Sequence, residues 1–369
     1  MFVLLCCGGW RSTLKKGTSV IEHERYFTLL AVASLRTKTV DGKSLSRRVV
    51  PVALLGLAVL VAMPLSTALG GVIYFTDLSN NKIQRTTLDG STPVDVITNG
   101  DNPRSIALDP VGGKIYWTDT LSDGHSGIRR ANLDGTLIED VVTTIVMGIA
   151  VDPINSKVYW TNQGNRKIQR ASLDGSNGEN LVTPATADII SPWGIDLDLT
   201  GGKLYWVDGS IGKLQRANLD GSAVEELRVG LTAPLREIAL DVPGSMLFIA
   251  SDKSIVTTDL NGAGLSTLLT LDAGVPTGLA VDSLNHKLYW TVPAMESAPT
   301  AKIQRANLDG TGIETIYSLD GGGFSGIALD ISAVPEPSTI ALLGTGAAAT
   351  AIGSFCRRRR VPCRPPIPI

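Results

Sequence analysis

The stretch Lys114-Ile115-Tyr116-Trp117-Thr118-Asp119 is one of six related copies along the chain. The counterparts of Tyr116 recur in steps of 41 to 46 residues, at Tyr74, Tyr159, Tyr205, Phe248 and Tyr289. A period near forty with several short strands per unit is typical of a β-propeller, in which no repeat buries its own faces alone. The sequence therefore predicts an all-β protein whose repeats form one ring.

Each unit contains four pieces with the character of strands. An apolar run such as Ile106–Asp109 precedes the aromatic strand, and a basic strand such as 167–173 follows it and runs into Asp174-Gly175. An Asp-Gly pair is a strong hairpin signal, because the tight turn needs positive φ. A more polar fourth piece, as in 138–143, suits an outer edge. The order predicts four-stranded blades with the most apolar strand innermost.

The phase of the repeat predicts how the ring closes. The first unit begins at its aromatic strand, and the last ends in Ile327–Asp330, an innermost strand with no successor. If that strand completes the first blade, no sheet edge stays exposed. We therefore predict a six-bladed β-propeller of four-stranded blades over residues 71–332, closed by the last inner strand.

The repeats resemble the Tyr-Trp-Thr-Asp propeller of low-density-lipoprotein-receptor class B repeats. The resemblance spans about 260 residues, with five good copies and one degraded copy at Phe248. It implies a fold and leaves the ligand open, because function lies in sites placed on folds.

The N-terminal part of the chain resembles an export signal. Residues 47–70 hold basic residues, an apolar run and then small residues, which is the order of a secretory signal peptide. A retained signal anchor is the alternative. Residues 1–46 fit no such pattern and suggest a start assigned too far upstream.

Residues 333–360 resemble the PEP-CTERM sorting signal of bacterial exported proteins. The signal's acidic-proline element, apolar stretch and basic end occur in order, as Pro335-Glu336-Pro337, 340–355 and Arg357-Arg358-Arg359-Arg360. The apolar stretch predicts a transmembrane helix with its arginines on the cytoplasmic side. The resemblance implies a transient inner-membrane anchor, processing by an exosortase, which is a membrane transpeptidase, and delivery to the cell surface or extracellular matrix. A permanent anchor is the alternative, and residues 361–369 extend beyond the pattern.

Charge and cysteine usage narrow the possible partners. Residues 71–332 carry 19 lysines and arginines against 31 aspartates and glutamates, a formal charge of −12. Such a domain is a poor nucleic-acid partner, since phosphate binding needs a basic patch. All four cysteines lie outside the repeats, at Cys6, Cys7, Cys356 and Cys363. We expect no disulfide in the propeller, no metal and no cofactor.

The candidate ligand-binding residues lie where the repeats differ from one another. The position just before each inner strand should rim the central channel, and it holds Arg104, Met147, Trp193, Arg236, Thr277 and Ser325. Trp193 with Arg104 and Arg236 could hold a planar or acidic group; a mere plug of the channel is the alternative. Two long loops on the same face add further candidates, His125, Met295 and Glu296.

Two repeated charges predict scaffold contacts. The aromatic strand often ends in Asp, as at Asp77, Asp119 and Asp208, and the basic strand carries Arg85, Arg130, Arg170, Arg216 and Arg305. The fifth unit loses both, having Ser251 and Thr257 in their places. We therefore hypothesise an Asp–Arg pair between strands or blades and no catalytic role for these carboxylates.

Three functions fit these observations. The first is an exported binding module that engages a protein or a polysaccharide through its loop-rich face. The second is a propeller hydrolase or lactonase with its site at the channel mouth, and the third is a purely structural matrix component. We expect no enzyme, because the repeats hold two histidines in separate loops, no cysteine, and no carboxylate at the assigned rim positions.

Overall fold

The computed structural model describes residues 71–121 and 126–331. In these residues 24 β-strands form six four-stranded antiparallel sheets, and no helix is long and apolar enough to cross a membrane. The all-β prediction and the six four-stranded blades are thereby confirmed. The predicted signal peptide, the predicted sorting signal with its transmembrane helix, residues 1–46 and 361–369, and His125 all lie outside the described residues.

Each sheet is one blade; five blades are built from four consecutive strands, and blade one takes its innermost strand from the end of the chain. Blade one contains β1 (Val72–Asp77), β2 (Lys82–Thr87), β3 (Val94–Ile97) and, innermost, β24 (Phe324–Asp330). Blade two contains β4 (Ile106–Asp109), β5 (Lys114–Thr120), β6 (Ser126–Asn132) and β7 (Glu139–Thr143). Blade three contains β8 (Ile149–Asp152), β9 (Lys157–Asn162), β10 (Lys167–Ser172) and β11 (Glu179–Val182).

The remaining three blades repeat the same order from the axis outward. Blade four contains β12 (Pro192–Asp198), β13 (Lys203–Asp208), β14 (Lys213–Asn218) and β15 (Glu225–Arg228). Blade five contains β16 (Leu235–Asp241), β17 (Met246–Ser251), β18 (Ser254–Asp259) and β19 (Ser266–Thr270). Blade six contains β20 (Leu279–Asp282), β21 (Lys287–Val292), β22 (Thr300–Asn307) and β23 (Glu314–Asp320).

The last strand closes the ring as the phase of the repeat predicts. β24 pairs antiparallel with β1, with Asp330 opposite Val72 and Ile327 opposite Phe75. Phe75 and Tyr289 belong to one apolar cluster, which joins blade one to blade six. The first and last blades are therefore fastened by a shared sheet and by a shared core.

The core lies between blades, because the aromatic strand is apolar on both faces. Trp117 packs in a cluster with Tyr74 of blade one, whereas its neighbour Tyr116 packs in a cluster with Trp160 of blade three. Successive side chains of a strand point to opposite faces, so one Tyr-Trp pair serves two blade interfaces. Trp117, Trp206 and Trp290 are all fully buried. Burial of one such side chain stabilises the fold by roughly 1.5–3 kcal/mol.

The ring has two faces of different character. Every inner strand begins on one face, here called the mouth face, and ends on the other, here called the terminal face. The mouth face carries the turns between the second and third strands and the links between blades. The paired residues Val72 and Asp330 lie on the terminal face, where β1 begins and β24 ends.

The repeated arginines do not pair with the aspartates as hypothesised, although Asp119 does form an ion pair with Arg129, the residue beside Arg130, at 3.2 Å. The arginines instead form ion pairs of 2.5–2.7 Å with glutamates opposite them on the outer strand, in the pairs Arg130–Glu139, Arg170–Glu179, Arg216–Glu225 and Arg305–Glu314. Val94 stands opposite Arg85, and Ser266 stands opposite Thr257. The register of the sheet thus places each repeated arginine beside the fourth strand of its blade. The hypothesis considered only the aspartates of the aromatic strand and not the glutamates of the fourth strand.

The aspartates of the aromatic strands hold the links between blades. Asp77 accepts a hydrogen bond of 2.9 Å from the N–H of Gly323, and Asp208 accepts one of 2.9 Å from the N–H of Ser191. Asp119 accepts from the N–H of Asp101 at 2.9 Å. These carboxylates are buried and accept hydrogen bonds from backbone N–H groups, so their role is structural. The contact is with the backbone of the links between blades and not with the repeated arginines.

Candidate functional site

The six non-repeated rim residues line one cavity at the mouth of the central channel. The cavity has a volume of about 340 Å³, and its walls include all six predicted rim positions, Arg104, Met147, Trp193, Arg236, Thr277 and Ser325. Each blade contributes one of them. The placement of these residues agrees with the sequence analysis; the binding role predicted for Arg104, Trp193 and Arg236 stays a prediction.

The threonine of the aromatic strand positions the backbone of the rim. Thr161 accepts a hydrogen bond from the N–H of Gly148 at 2.8 Å and donates one to the carbonyl oxygen of Trp193 at 2.5 Å. Thr76 donates in the same way to the carbonyl oxygen of Arg104 at 2.6 Å. Blade four has Val207 at this position, so no threonine hydroxyl holds the carbonyl of Arg236 in the next blade.

The orientation of Trp193 is fixed by two contacts. Its indole N–H donates to the Ser191 hydroxyl at 3.2 Å, and that hydroxyl also accepts from the Gln163 amide at 2.7 Å. A Cβ at Gly209 would lie 2.8 Å from Cδ1 of the indole, so glycine leaves room for the ring. Because the indole donor is already used, Trp193 offers mainly its flat apolar surface to the mouth.

The two rim arginines differ in exposure. Arg104 is exposed, whereas Arg236 is half-buried and its Nε is a buried donor without a hydrogen-bond partner among the described residues. Burial lowers the pKa of Arg236, and the charge of Asp252 partly opposes that effect. Arginine stays charged despite such shifts, so the mouth presents two cations.

Two carboxylates line the channel, at positions other than the six rim positions assigned from the sequence. Glu237 lines both the mouth cavity and a second cavity of about 330 Å³ further along the channel, and Asp196 lines the second cavity. Burial raises the pKa of Glu237 to about 8, against the opposing hydrogen bonds from the N–H groups of Ile238 and Ile195. Burial likewise raises the pKa of Asp196 to about 6.

These two carboxylates link the inner strands of blades four and five. Asp196 on β12 accepts from the N–H of Leu240 on β16 at 2.8 Å. A Cβ at Gly194 would lie 2.6 Å from Oε1 of Glu237, so glycine lets the Glu237 side chain lie against β12. The pair therefore joins two neighbouring blades across the channel wall.

A sequence signal for both carboxylates exists in the repeat. Glu237 stands in a column that holds Gly148, Gly194, Gly278 and Gly326 in four other blades. Asp196 stands in a column that is alanine in the other five. Both residues depart from the pattern of the inner strands. Glu237 directly follows Arg236, the position assigned to the rim of this blade.

The loop candidates Met295 and Glu296 do not line the mouth cavity. Met295 and Glu296 are exposed at the tip of a tight turn, in which Met295 and Ala298 exchange backbone hydrogen bonds of 2.8 and 2.9 Å. Only Pro293 of that loop reaches the cavity wall. In residues 71–121 and 126–331 no three His, Cys, Asp or Glu side chains lie close enough together to hold a metal ion.

Two family models match this chain. Residues 71–110 match the low-density lipoprotein receptor repeat class B, and residues 333–360 match the PEP-CTERM protein-sorting motif. The chain is therefore a six-bladed propeller with a match to that repeat in its first 40 propeller residues and a match to the sorting motif after the propeller. Both resemblances predicted from the sequence are confirmed.

Curated relatives share only part of their length with this chain. Nidogen-2 of Mus musculus is 37% identical over 67 residues, which are 18% of this chain and 5% of that protein. Low-density lipoprotein receptor-related protein 5 of Mus musculus is 38% identical over 69 residues, which are 18% of this chain and 4% of that protein. The chain thus matches a small fraction of each relative's length.

Solved structures support the fold over most of the ring. A chain of the nidogen/laminin complex superposes with a TM-score of 0.59 at 19% identity, covering 70% of this chain and 98% of that one. TolB from Acinetobacter baumannii gives a TM-score of 0.58 at 14% identity, covering 71% and 67%. At these identities the likeness concerns the fold alone.

Proposed function

We propose that this protein is an exported binding module of the cell envelope that engages a partner protein through its mouth face. One observation carries the proposal: the six rim side chains that escape the repeat converge on a single cavity. Scaffold positions in the same strands are nearly constant from blade to blade. Variation confined to one face of a repeat structure is typical of a binding surface.

The composition of the mouth favours a protein as the ligand. Tryptophan, arginine and methionine are enriched in the buried centres of protein interfaces, and the rim contains all three. Large apolar side chains are also exposed on this face, with Ile145 50%, Ile190 42% and Met295 43% exposed. A chain of this fold occurs in the nidogen/laminin complex, a protein–protein assembly. A surface polysaccharide remains the alternative ligand.

The path of the chain supports an outward-facing mouth. Val72 and Asp330 are paired on the terminal face, so β1 begins and β24 ends on the side away from the mouth. A C-terminal tail held in a membrane would then leave the mouth free for a partner. In this proposal the tail is a transient anchor, an exosortase cuts it near Pro335-Glu336-Pro337, and the propeller reaches the cell surface or matrix.

The sorting step has its own test. The intact mass and location of the mature protein would be measured in cells with and without the transpeptidase. We expect loss of the C-terminal segment only when the enzyme is present. An uncut tail in both strains would contradict processing and indicate a permanently tethered propeller.

The binding role is tested with immobilised protein and envelope extract. We would compare the exported wild type with Trp193→Ala at the mouth and with Ile154→Ser on the terminal face, where Ile154 is 79% exposed. We expect the wild type and Ile154→Ser to retain the same ligand and Trp193→Ala to lose it, at matched thermal stability. Equal retention by all three would refute a mouth site. Loss of the ligand after protease treatment of the extract identifies a protein, and its survival identifies a polysaccharide.

A hydrolase is the second candidate, and the two channel carboxylates favour it. Glu237 lies at the mouth with a pKa near the range of a general acid or base, and Asp196 lies deeper in the channel. Turnover of ester and lactone substrates, with and without added calcium, tests this function. Activity that Glu237→Gln abolishes would support it, whereas activity that survives the substitution would assign turnover elsewhere.

A further inference from the structure

The two mouth arginines lie on opposite walls of the channel. Arg104 precedes the inner strand of blade two, and Arg236 lies at the start of the inner strand of blade five. In a ring of six blades these positions are three blades apart, on either side of the axis. A ligand group that enters along the axis therefore meets a guanidinium from each side.

Neither guanidinium is within ion-pair distance of a carboxylate of the described residues. The repeated arginines of blades two, three, four and six, in contrast, pair with glutamates. Nε of Arg236 is moreover a buried donor without an acceptor. A buried donor left unpaired is unfavourable.

The mouth is cationic at neutral pH although the propeller as a whole is acidic. Among the described residues Glu237 is the one carboxylate in the wall of the mouth cavity, and its pKa of about 8 keeps it mostly protonated at pH 7. The domain around it carries a formal charge of −12. A local cation pair in such a domain selects anions, because most of the remaining surface repels them.

The shape of the cavity suits a small planar anion on an apolar stem. The flat surface of Trp193 and the side chains of Met147 and Phe324 supply apolar wall, and the two arginines supply the donors. Guanidinium groups match carboxylates in geometry, since their forked N–H groups meet both oxygens. An Asp or Glu side chain on a protruding loop has this form.

We propose that the channel mouth is a carboxylate site, in which an acidic side chain of the partner protein is bound between Arg104 and Arg236 beside Trp193. The inference rests on the proposed binding role of the mouth face and names the group that the mouth recognises. An acidic sugar offers the same carboxylate, and the experiment separates the two sources.

The test uses four small probes in two matched pairs. N-acetyl-aspartate amide is compared with the nearly isosteric N-acetyl-asparagine amide, and glucuronate is compared with glucose. Binding to the exported protein is followed by the NMR signal of the Trp193 indole N–H, assigned by its absence in Trp193→Phe. We expect a saturable shift with the aspartate probe and at least a tenfold weaker response to the asparagine probe.

Variants at the mouth and a matched control complete the design. We expect Arg104→Gln and Arg236→Gln each to weaken binding of the aspartate probe about tenfold or more, as loss of a charge-assisted hydrogen bond implies. Arg166→Gln removes the same charge from an exposed turn of the mouth face outside the cavity and should change binding less than twofold.

The outcomes separate this inference from the proposed function. Equal responses to the aspartate and asparagine probes would overturn the carboxylate site, and so would equal effects of Arg236→Gln and Arg166→Gln. Neither result would contradict binding of an envelope ligand at the mouth. Binding of glucuronate without binding of the aspartate probe would overturn the choice of a protein side chain. If the wild type retains no ligand from the envelope extract while the aspartate probe still binds, the proposed function is refuted and the carboxylate site is not.

Discussion

Arg305 in blade six donates a hydrogen bond of 2.7 Å to the carbonyl oxygen of Leu88 in blade one, 217 residues earlier in the chain. The same bond joins three other pairs of neighbouring blades, from Arg130 to Leu173 at 2.9 Å, from Arg170 to Leu219 at 2.7 Å and from Arg216 to Leu260 at 3.0 Å. Each arginine thus reaches from its own third strand to the turn that follows the third strand of the next blade. At Arg305 this bond spans the junction at which the ring closes.

Removal of the Arg305 bond should weaken ring closure. We expect Arg305→Gln to lower the free energy of unfolding by about 1.5–3 kcal/mol, the range for a hydrogen bond from a charged donor. Arg85→Gln is the matched control, because Val94 stands opposite Arg85 in place of a glutamate. Urea denaturation of both variants measures the difference. Equal losses would show that the bond to Leu88 contributes nothing particular to closure.

The bond to the next blade should contribute more than the ion pair within the blade. Glu179 is 48% exposed in its side chain, and exposed ion pairs stabilise proteins by only about 0.2–1 kcal/mol. Arg170→Gln removes the ion pair and also the bond to Leu219, whereas Glu179→Gln removes the ion pair alone. We expect the arginine variant to lose at least about 1 kcal/mol more stability than the glutamate variant. A larger loss from Glu179→Gln would reverse this ranking.

The repeat made the scaffold predictable, but single residues that depart from the repeat were harder to recognise in the sequence. Strand content, blade number and closure by Ile327–Asp330 all follow from periodicity and phase, because each repeated residue has one environment in every blade. The rim residues were found by their position before each inner strand. Glu237 was missed because its column holds glycine in four other blades, and the repeat does not show that Gly194 leaves room for a glutamate side chain.

The partner of the repeated arginine was missed for a different reason. Sequence comparison showed that Thr257 and Ser251 depart together from the pattern, which suggested that arginine and aspartate pair. The register shows that Ser266 also replaces the glutamate of the outer strand in that blade. In blade five the aspartate position and the glutamate position both change together with the arginine. Sequence alone does not show which of these two positions contacts the arginine. Cross-strand register decides it.

The hydroxyl of Thr161 should control the position of Trp193. Thr161→Val keeps the shape of the side chain but leaves the N–H of Gly148 and the carbonyl of Trp193 without this partner. Loss of a partner for a buried polar group costs about 1–3 kcal/mol. We therefore expect a fall in unfolding free energy of that size, together with a displaced Trp193 indole N–H signal. Thr143→Val on the exposed outer strand should change neither quantity, and an unmoved indole signal in Thr161→Val would contradict the positioning role.

The stability of the propeller should fall with rising pH because of Glu237. Burial raises the pKa of this carboxyl from its usual 4.5 to about 8, and the charge of Asp196 acts in the same direction. Between these two pKa values the folded protein binds more protons than the unfolded chain, so the free energy of unfolding decreases as pH increases. For one group the slope approaches about 1.4 kcal/mol per pH unit.

Glutamine at position 237 isolates this effect. Glu237→Gln keeps an oxygen for the N–H of Ile238 but does not ionise, so its stability should be flatter than that of the wild type from pH 5 to 8. Asp196→Asn should flatten the profile only below about pH 6, the pKa to which burial raises that carboxyl. Urea denaturation at unit pH intervals gives both slopes. Parallel profiles for the wild type and Glu237→Gln across pH 6 to 8 would mean that Glu237 is already ionised at neutral pH. The mouth would then carry a carboxylate between its two arginines, and the selection of a ligand carboxylate would weaken with it.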